Sequence, residues 1–150
     1  MKKVRNLIIL SILLSTIMLT LTGCHKEKSY TFNVETGDKV KVKLDITDGY
    51  DMTSELPIEF SKDDKVISQG TFGQEEAYDL YYQIVKEDSG STLIEEKSKD
   101  NIEYIFYEYN NSEYNYIIRI KDSKTCFILA NNISKESAQE IFNKISFKVE

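Results

Sequence analysis

Few side chains in this 150-residue chain are able to do chemistry, and their positions narrow what that chemistry is. Histidine is the usual general base near neutral pH, and the sole histidine is His25, close to the N-terminus. A Ser-His-Asp or Cys-His site, or a His-rich zinc site, has nothing to be built from. Cys126 sits mid-run between Thr125 and Phe127 with no histidine to activate it, which reads as a small buried residue. Asp45, Asp48 and Asp51 surround Gly49 and loosely suggest a calcium loop, but the spacing departs from the EF-hand pattern and lacks its distal Glu. A solvated turn with Asx hydrogen bonds is the simpler expectation. Glu95, Glu96 and Glu103 make an acid pair for glycoside chemistry only if a cleft unites them. The six glycines are scattered, so no phosphate loop is present. No catalytic residue, metal site or cofactor is assigned.

Tyrosine is the other distinctive feature. The chain has ten tyrosines and no tryptophan, and five tyrosines fall between Tyr104 and Tyr116. With Asn111-Ser112 as a hairpin turn, Tyr107, Tyr109, Tyr114 and Tyr116 share one face as a cross-strand cluster. Two readings stand. The rings either cover one end of the core with their hydroxyls in water, or form a candidate binding patch for a protein, peptide or glycan partner. Arg119 is expected on the opposite face, ion-paired with Glu103 or another acid.

The N-terminal segment carries an address. Lys2, Lys3 and Arg5 precede an apolar run from Leu7 to about Leu21, which ends in Leu21-Thr22-Gly23-Cys24. A basic start, a short apolar stretch and small residues at its end form a secretory signal, and the run is short for a spanning helix. The closing quartet resembles the bacterial lipobox. That resemblance implies cleavage after residue 23, lipid on Cys24 and attachment to the extracytoplasmic face of the cell membrane. Cys24 is then unavailable for a disulfide, and Cys126 has no partner. The expected division is a signal peptide over residues 1–23, a lipid-anchored tether over 24–29 and a single domain over 30–150.

Removing the signal alters the charge. The whole chain has 19 Lys+Arg and 25 Asp+Glu, and residues 1–23 hold three of the basic groups and none of the acidic ones. The mature part therefore has 16 against 25, a net charge of −9. Such a domain is repelled by nucleic acid and by anionic headgroups, so no nucleic-acid partner is expected. His25, Lys26 and Lys28, beside the anchor, are the local exception.

The elements that position these residues follow from periodicity. Alternating runs predict strands over Tyr30–Glu35, Lys39–Ile46, Leu56–Phe60 and Val66–Thr71. A helix is predicted from Gln74 to about Lys86, with Ala77, Leu80, Tyr81 and Ile84 as its apolar face. Its start is a capping box of Thr71 with Gln74, or Gly73 with Glu76. Strands follow over Thr92–Glu96, Ile102–Tyr109, Tyr114–Lys121 and Thr125–Ala130. The Asp122-Ser123 turn places Lys121 opposite Lys124, so Tyr114, Tyr116, Ile118 and Ile120 share a face with Thr125, Phe127, Leu129 and Asn131. A second helix starts at Ser134 as N-cap, buries Ala138, Ile141, Phe142 and Ile145, and is stapled by Ile133. Ser146–Val149 forms a last strand.

The expected fold is α+β: an antiparallel β-sheet with two packed helices, in the order ββββ-α-ββββ-α-β. From Tyr30 to Val149 this order resembles the Mog1/PsbP-like sandwich and many short lipoproteins of Gram-positive bacteria. That resemblance implies a fold and transfers no functional residue beyond the lipobox. Three functions are compatible with these features. The first is a non-enzymatic envelope lipoprotein with a small binding domain, held to the membrane through Cys24. The second is an immunity or exclusion lipoprotein that sequesters a cationic peptide. The third is a carboxylate-dependent enzyme, which requires converging acids with raised pKa values in a pocket.

Overall fold

A computed structural model describes residues 26–150; the expected signal peptide and Cys24 lie outside the described residues. The described chain is α+β and mostly antiparallel, with ten strands and two helices. Five strands precede the first helix where four were expected: β1 (Glu27–Asn33), β2 (Lys39–Asp45), β3 (Tyr50–Met52), β4 (Ile58–Lys62) and β5 (Lys65–Gln74). Helix α1 (Glu76–Glu87) leads to β6 (Ser91–Lys99), β7 (Ile102–Tyr109), β8 (Glu113–Ile120) and β9 (Thr125–Asn131). Helix α2 (Lys135–Lys144) and β10 (Ile145–Val149) complete the order. The added strand, β3, is three residues long, too short for alternation to reveal. Strand β1 starts three residues earlier than expected, because the polar run from Glu27 to Ser29 pairs with Lys43–Asp45.

The strands form two sheets rather than one. A small sheet has the order β1-β2-β10, and a large one the order β3-β4-β5-β9-β8-β7-β6. Val40, Val42 and Leu44 alternate along β2 and are fully buried. They join Phe106, Tyr116, Phe127 and Leu129 of the large sheet, with Ile141 and Phe142 of α2, in the main core. A smaller core lies on the other face, where Tyr78 and Val85 of α1 meet Ile105, Tyr107 and Ile117. The large sheet is thus the middle of three layers. Polar pins lock the outer layers to it. Asp38 accepts from the Thr125 hydroxyl (2.7 Å) and the Lys124 N–H (2.8 Å), and Tyr50 donates to Glu140 of α2 at 2.7 Å.

The β8–β9 register is the expected one, with Tyr114 opposite Asn131 and Ile118 opposite Phe127. Helix α2 also starts as expected, since the Ser134 side chain accepts from the Ser137 N–H at 3.1 Å. Its burial is as expected for Ala138, Ile141 and Phe142. Ile145 instead opens β10, and Ile133 is 59 % exposed and belongs to neither core cluster.

Helix α1 departs from its predicted phase. Tyr78 and Val85 are buried and Tyr81 and Tyr82 are partly buried, whereas Leu80 and Ile84 are 61 % and 45 % exposed. The helix is turned by one residue, about 100°, from the expected face. Its first turn is held by Arg119, which pairs with Asp79 at 2.7 Å and Glu75 at 3.6 Å and lies over the Tyr78 ring at 4.3 Å. Neither predicted capping box forms. Strand β5 continues through Gln74, and the Glu75 N–H donates to the Lys124 carbonyl instead.

Candidate binding site

Helix α1 crosses one face of the large sheet obliquely. Its start lies at the Gly73/Cys126 end of β5 and β9, where a Cβ on Gly73 would come 3.8 Å from the Ala77 Cβ. Beyond its end, Gly90 accepts from the Asn110 N–H, and Ser91 pairs with Tyr109 at the opposite end of β7. A corner of the sheet over β5, β9 and β8 is therefore left without a helix.

At that corner one cross-strand row aligns Glu59, Gln69, Ala130 and Asn115 on four adjacent strands. Gln69–Ala130 is also the last pair between β5 and β9. Beyond it β9 leaves for α2, so the two strands fork. Asn131 closes the base of the fork. Its amide nitrogen donates to Ser68 Oγ (2.8 Å) and Ser137 Oγ (3.1 Å), and its oxygen accepts from the N–H groups of Ile133 and Ser134. The result is a depression of about 380 Å³ lined by Val66, Gln69, Glu113, Asn115, Ala130 and Asn132, among others. Asn115 is only 7 % exposed; its side-chain amide makes no hydrogen bond among the described residues and is not sealed from solvent. Gln69 donates to Glu59 at 3.4 Å, which leaves its carbonyl oxygen free. No lysine or arginine lines the depression.

A second depression, about 570 Å³, lies on the other face beside α2. Its wall contains Tyr116, stacked between Phe106 and Phe142 at 4.2 and 4.0 Å, with Tyr104 tilted against Phe142. Tyr104 donates to Glu95 at 2.7 Å, and Lys97 pairs with the same carboxylate. These two donors, Lys97 foremost, hold the Glu95 pKa below the ordinary carboxylate range. Burial pushes the Tyr104 and Tyr116 phenols upward, so both remain neutral donors.

The expected tyrosine cluster is divided between the two faces. The β7–β8 hairpin holds three loop residues, with Tyr109 opposite Glu113 and Tyr107 opposite Asn115. Asn110 and Asn111 occupy the left-handed region at φ 49° and 55°, which Asn tolerates well. The extra loop residue slips the register by one, and a slip of one reverses every side chain's face. Tyr107 and Tyr109 therefore share the α1 face, and Tyr114 and Tyr116 the core face. Tyr107 and Tyr116 are buried, and burial pushes the Tyr107 phenol up to about 12. Only Tyr109 is well exposed, at 38 %.

The acids do not converge. A bulge between Leu93 and Glu95 puts Glu95 on the core face, while Glu96 and Glu103 stand on the α1 face. Asp38, Asp51, Glu95, Glu140 and Glu150 all have pKa values shifted downward. Asp45 caps its own turn by accepting from the Thr47 N–H at 2.9 Å, and Asp51 pairs with Lys28 at 2.6 Å. Among the described residues no group of three His, Cys, Asp or Glu is placed to hold a metal ion. Cys126 is fully buried, and burial raises its thiol to about 11. Arg119 pairs with Glu103 at 3.2 Å as expected, but it shares the α1 face with Tyr107 and Tyr109 and is opposite only Tyr114 and Tyr116.

Set against protein-family models, curated proteins and solved structures, the chain matches none. Its site must be read from its own geometry. Asn115 and Gln69 escape sequence reading because an amide in an alternating strand looks like any solvated polar residue. The available signal is an Asn between two tyrosines in a run that is otherwise apolar or aromatic.

Proposed function

We propose that this chain is an envelope lipoprotein whose α+β domain is a non-catalytic binding module, carried on lipid at Cys24 on the extracytoplasmic face of the membrane. The observation that carries the reading is Leu21-Thr22-Gly23-Cys24 closing an apolar run behind a basic start. The fold is compatible with a close tether, since β1 begins at Glu27, three residues beyond that cysteine. No helix among the described residues is long and apolar enough to cross a membrane. Two open depressions with unspent hydrogen-bonding groups favour binding, and Glu95, whose pKa is lowered, lies on the face opposite Glu96 and Glu103, which lends an acid pair no support. The −9 charge of the mature part favours a cationic ligand, as an immunity or exclusion lipoprotein requires.

Cys24→Ala tests the anchor. In fractionated cells the native chain is expected in the membrane pellet with a mass gain of a diacylglyceryl group and loss of residues 1–23. The variant is expected unprocessed or released. Equal size and equal membrane retention of the two overturn the reading.

A further inference from the structure

We infer that the amide-lined depression over β5, β9 and β8 binds an extended peptide segment carrying a basic side chain. The inference rests on the binding-module reading above but not on the lipid anchor. Its starting point is Asn115, nine-tenths buried, lining the depression, with no protein partner for its amide. The amide atoms are not sealed from solvent, so their donor and acceptor are open to a partner from outside the chain.

The cross-strand row defines what that partner is. Gln69 and Asn115 flank Ala130 from the strands on either side, about 9–10 Å apart at two strand spacings. The floor between them is a methyl group. A side-chain amide carries the same donor and acceptor as a peptide bond. Two amides facing each other across a small residue pair with both edges of an extended backbone laid along β9. That path leads toward Asn132 and Glu113, where the strands fork. Glu113 in the lining and Glu59 behind Gln69 make the site anionic, with no cation to offset them in the lining. The complementary side chain is therefore a lysine or arginine. The floor and walls contain no aromatic ring, so the depression has no flat apolar surface for a sugar face.

The experiment uses the purified full chain in neutral detergent, labelled with ¹⁵N. Three probes are titrated: a blocked pentapeptide alternating valine and lysine, the same peptide with serine replacing lysine, and chitotetraose. The lysine peptide is expected to shift the Asn115 side-chain amide pair and the backbone amides of Gln69 and Ala130. The serine peptide is expected to bind at least about ten-fold more weakly. Asn115→Ala is expected to weaken the lysine peptide about ten-fold while leaving Tm unchanged or raised, because no internal hydrogen bond is lost. Glu113→Gln, an exposed position, is expected to reduce the preference for lysine over serine without altering Tm. Shifts confined to other residues, equal binding of both peptides, or perturbation by chitotetraose alone overturn the inference. A marked fall in Tm for Asn115→Ala overturns it as well, since the amide then serves the fold. None of these outcomes bears on whether Cys24 is lipidated, which fractionation decides separately.

Discussion

Asn131 shows how much one amide can hold. It is 2 % exposed and its four hydrogen bonds tie β9 to Ser68 of β5 and to the first turn of α2. Asn131→Ala leaves two hydroxyls and two backbone N–H groups short of a partner. A loss of about 2–3 kcal/mol is expected in urea unfolding. Asn131→Asp keeps the two acceptor bonds and should fall between the two. Asn115, in the next strand at the same end of the sheet, has the same chemistry and none of these partners. The contrast separates a structural amide from one available to a ligand, and it appears only when partners are counted atom by atom.

At the scale of elements, α1 is governed by what lies beneath it. Counting spacings alone, Ala77-Leu80-Tyr81-Ile84 and Tyr78-Tyr81-Tyr82-Val85 are equally good helical stripes. Arg119 decides between them through its pairs with Asp79 and Glu75 and its contact with Tyr78. Val85→Ala is therefore expected to cost about 2 kcal/mol, whereas Leu80→Ala should change stability by less than about 0.5 kcal/mol. Chemical denaturation of both variants checks the phase; a larger loss for Leu80→Ala would restore the expected face. Packing between layers makes a similarly local demand at Gly70, where a Cβ would lie 2.2 Å from the Phe127 ring.

At the scale of the whole molecule, acids whose ionised form is favoured by folded partners tie stability to pH. Asp38 is the example that joins the layers. Its pKa lies below 3.8 chiefly because the Thr125 hydroxyl donates to it, with the Lys124 N–H adding to the effect. A folded value below the unfolded one means that its contribution is full above the unfolded pKa and is lost as pH falls through the folded value. Asp51 and Glu150 are shifted in the same direction. Tm is thus expected to be level near neutrality and to fall between about pH 5 and 2. Asp38→Asn should lower Tm at pH 7 and flatten that acid limb. Parallel limbs in the two proteins would place the acid sensitivity elsewhere.

Local patterns carried a large part of this fold. Alternation in β2, the β8–β9 register set by the turn around Asp122-Ser123, and the Ser134 cap of α2 are each decided by neighbours in the chain, so they could be read without the structure. The signal-like N-terminus and the acidic balance of residues 24–150 are likewise properties of sequence alone. Tertiary structure decided the rest. The three-residue β7–β8 loop split Tyr107 and Tyr109 from Tyr114 and Tyr116, because a single inserted residue reverses a strand's faces. The division into two sheets arose because β10 returns to pair with β2, more than 90 residues away in sequence. The candidate site is of the same kind. Gln69, Ala130 and Asn115 meet only because β9 lies between β5 and β8, and it stays open only because α1 crosses elsewhere.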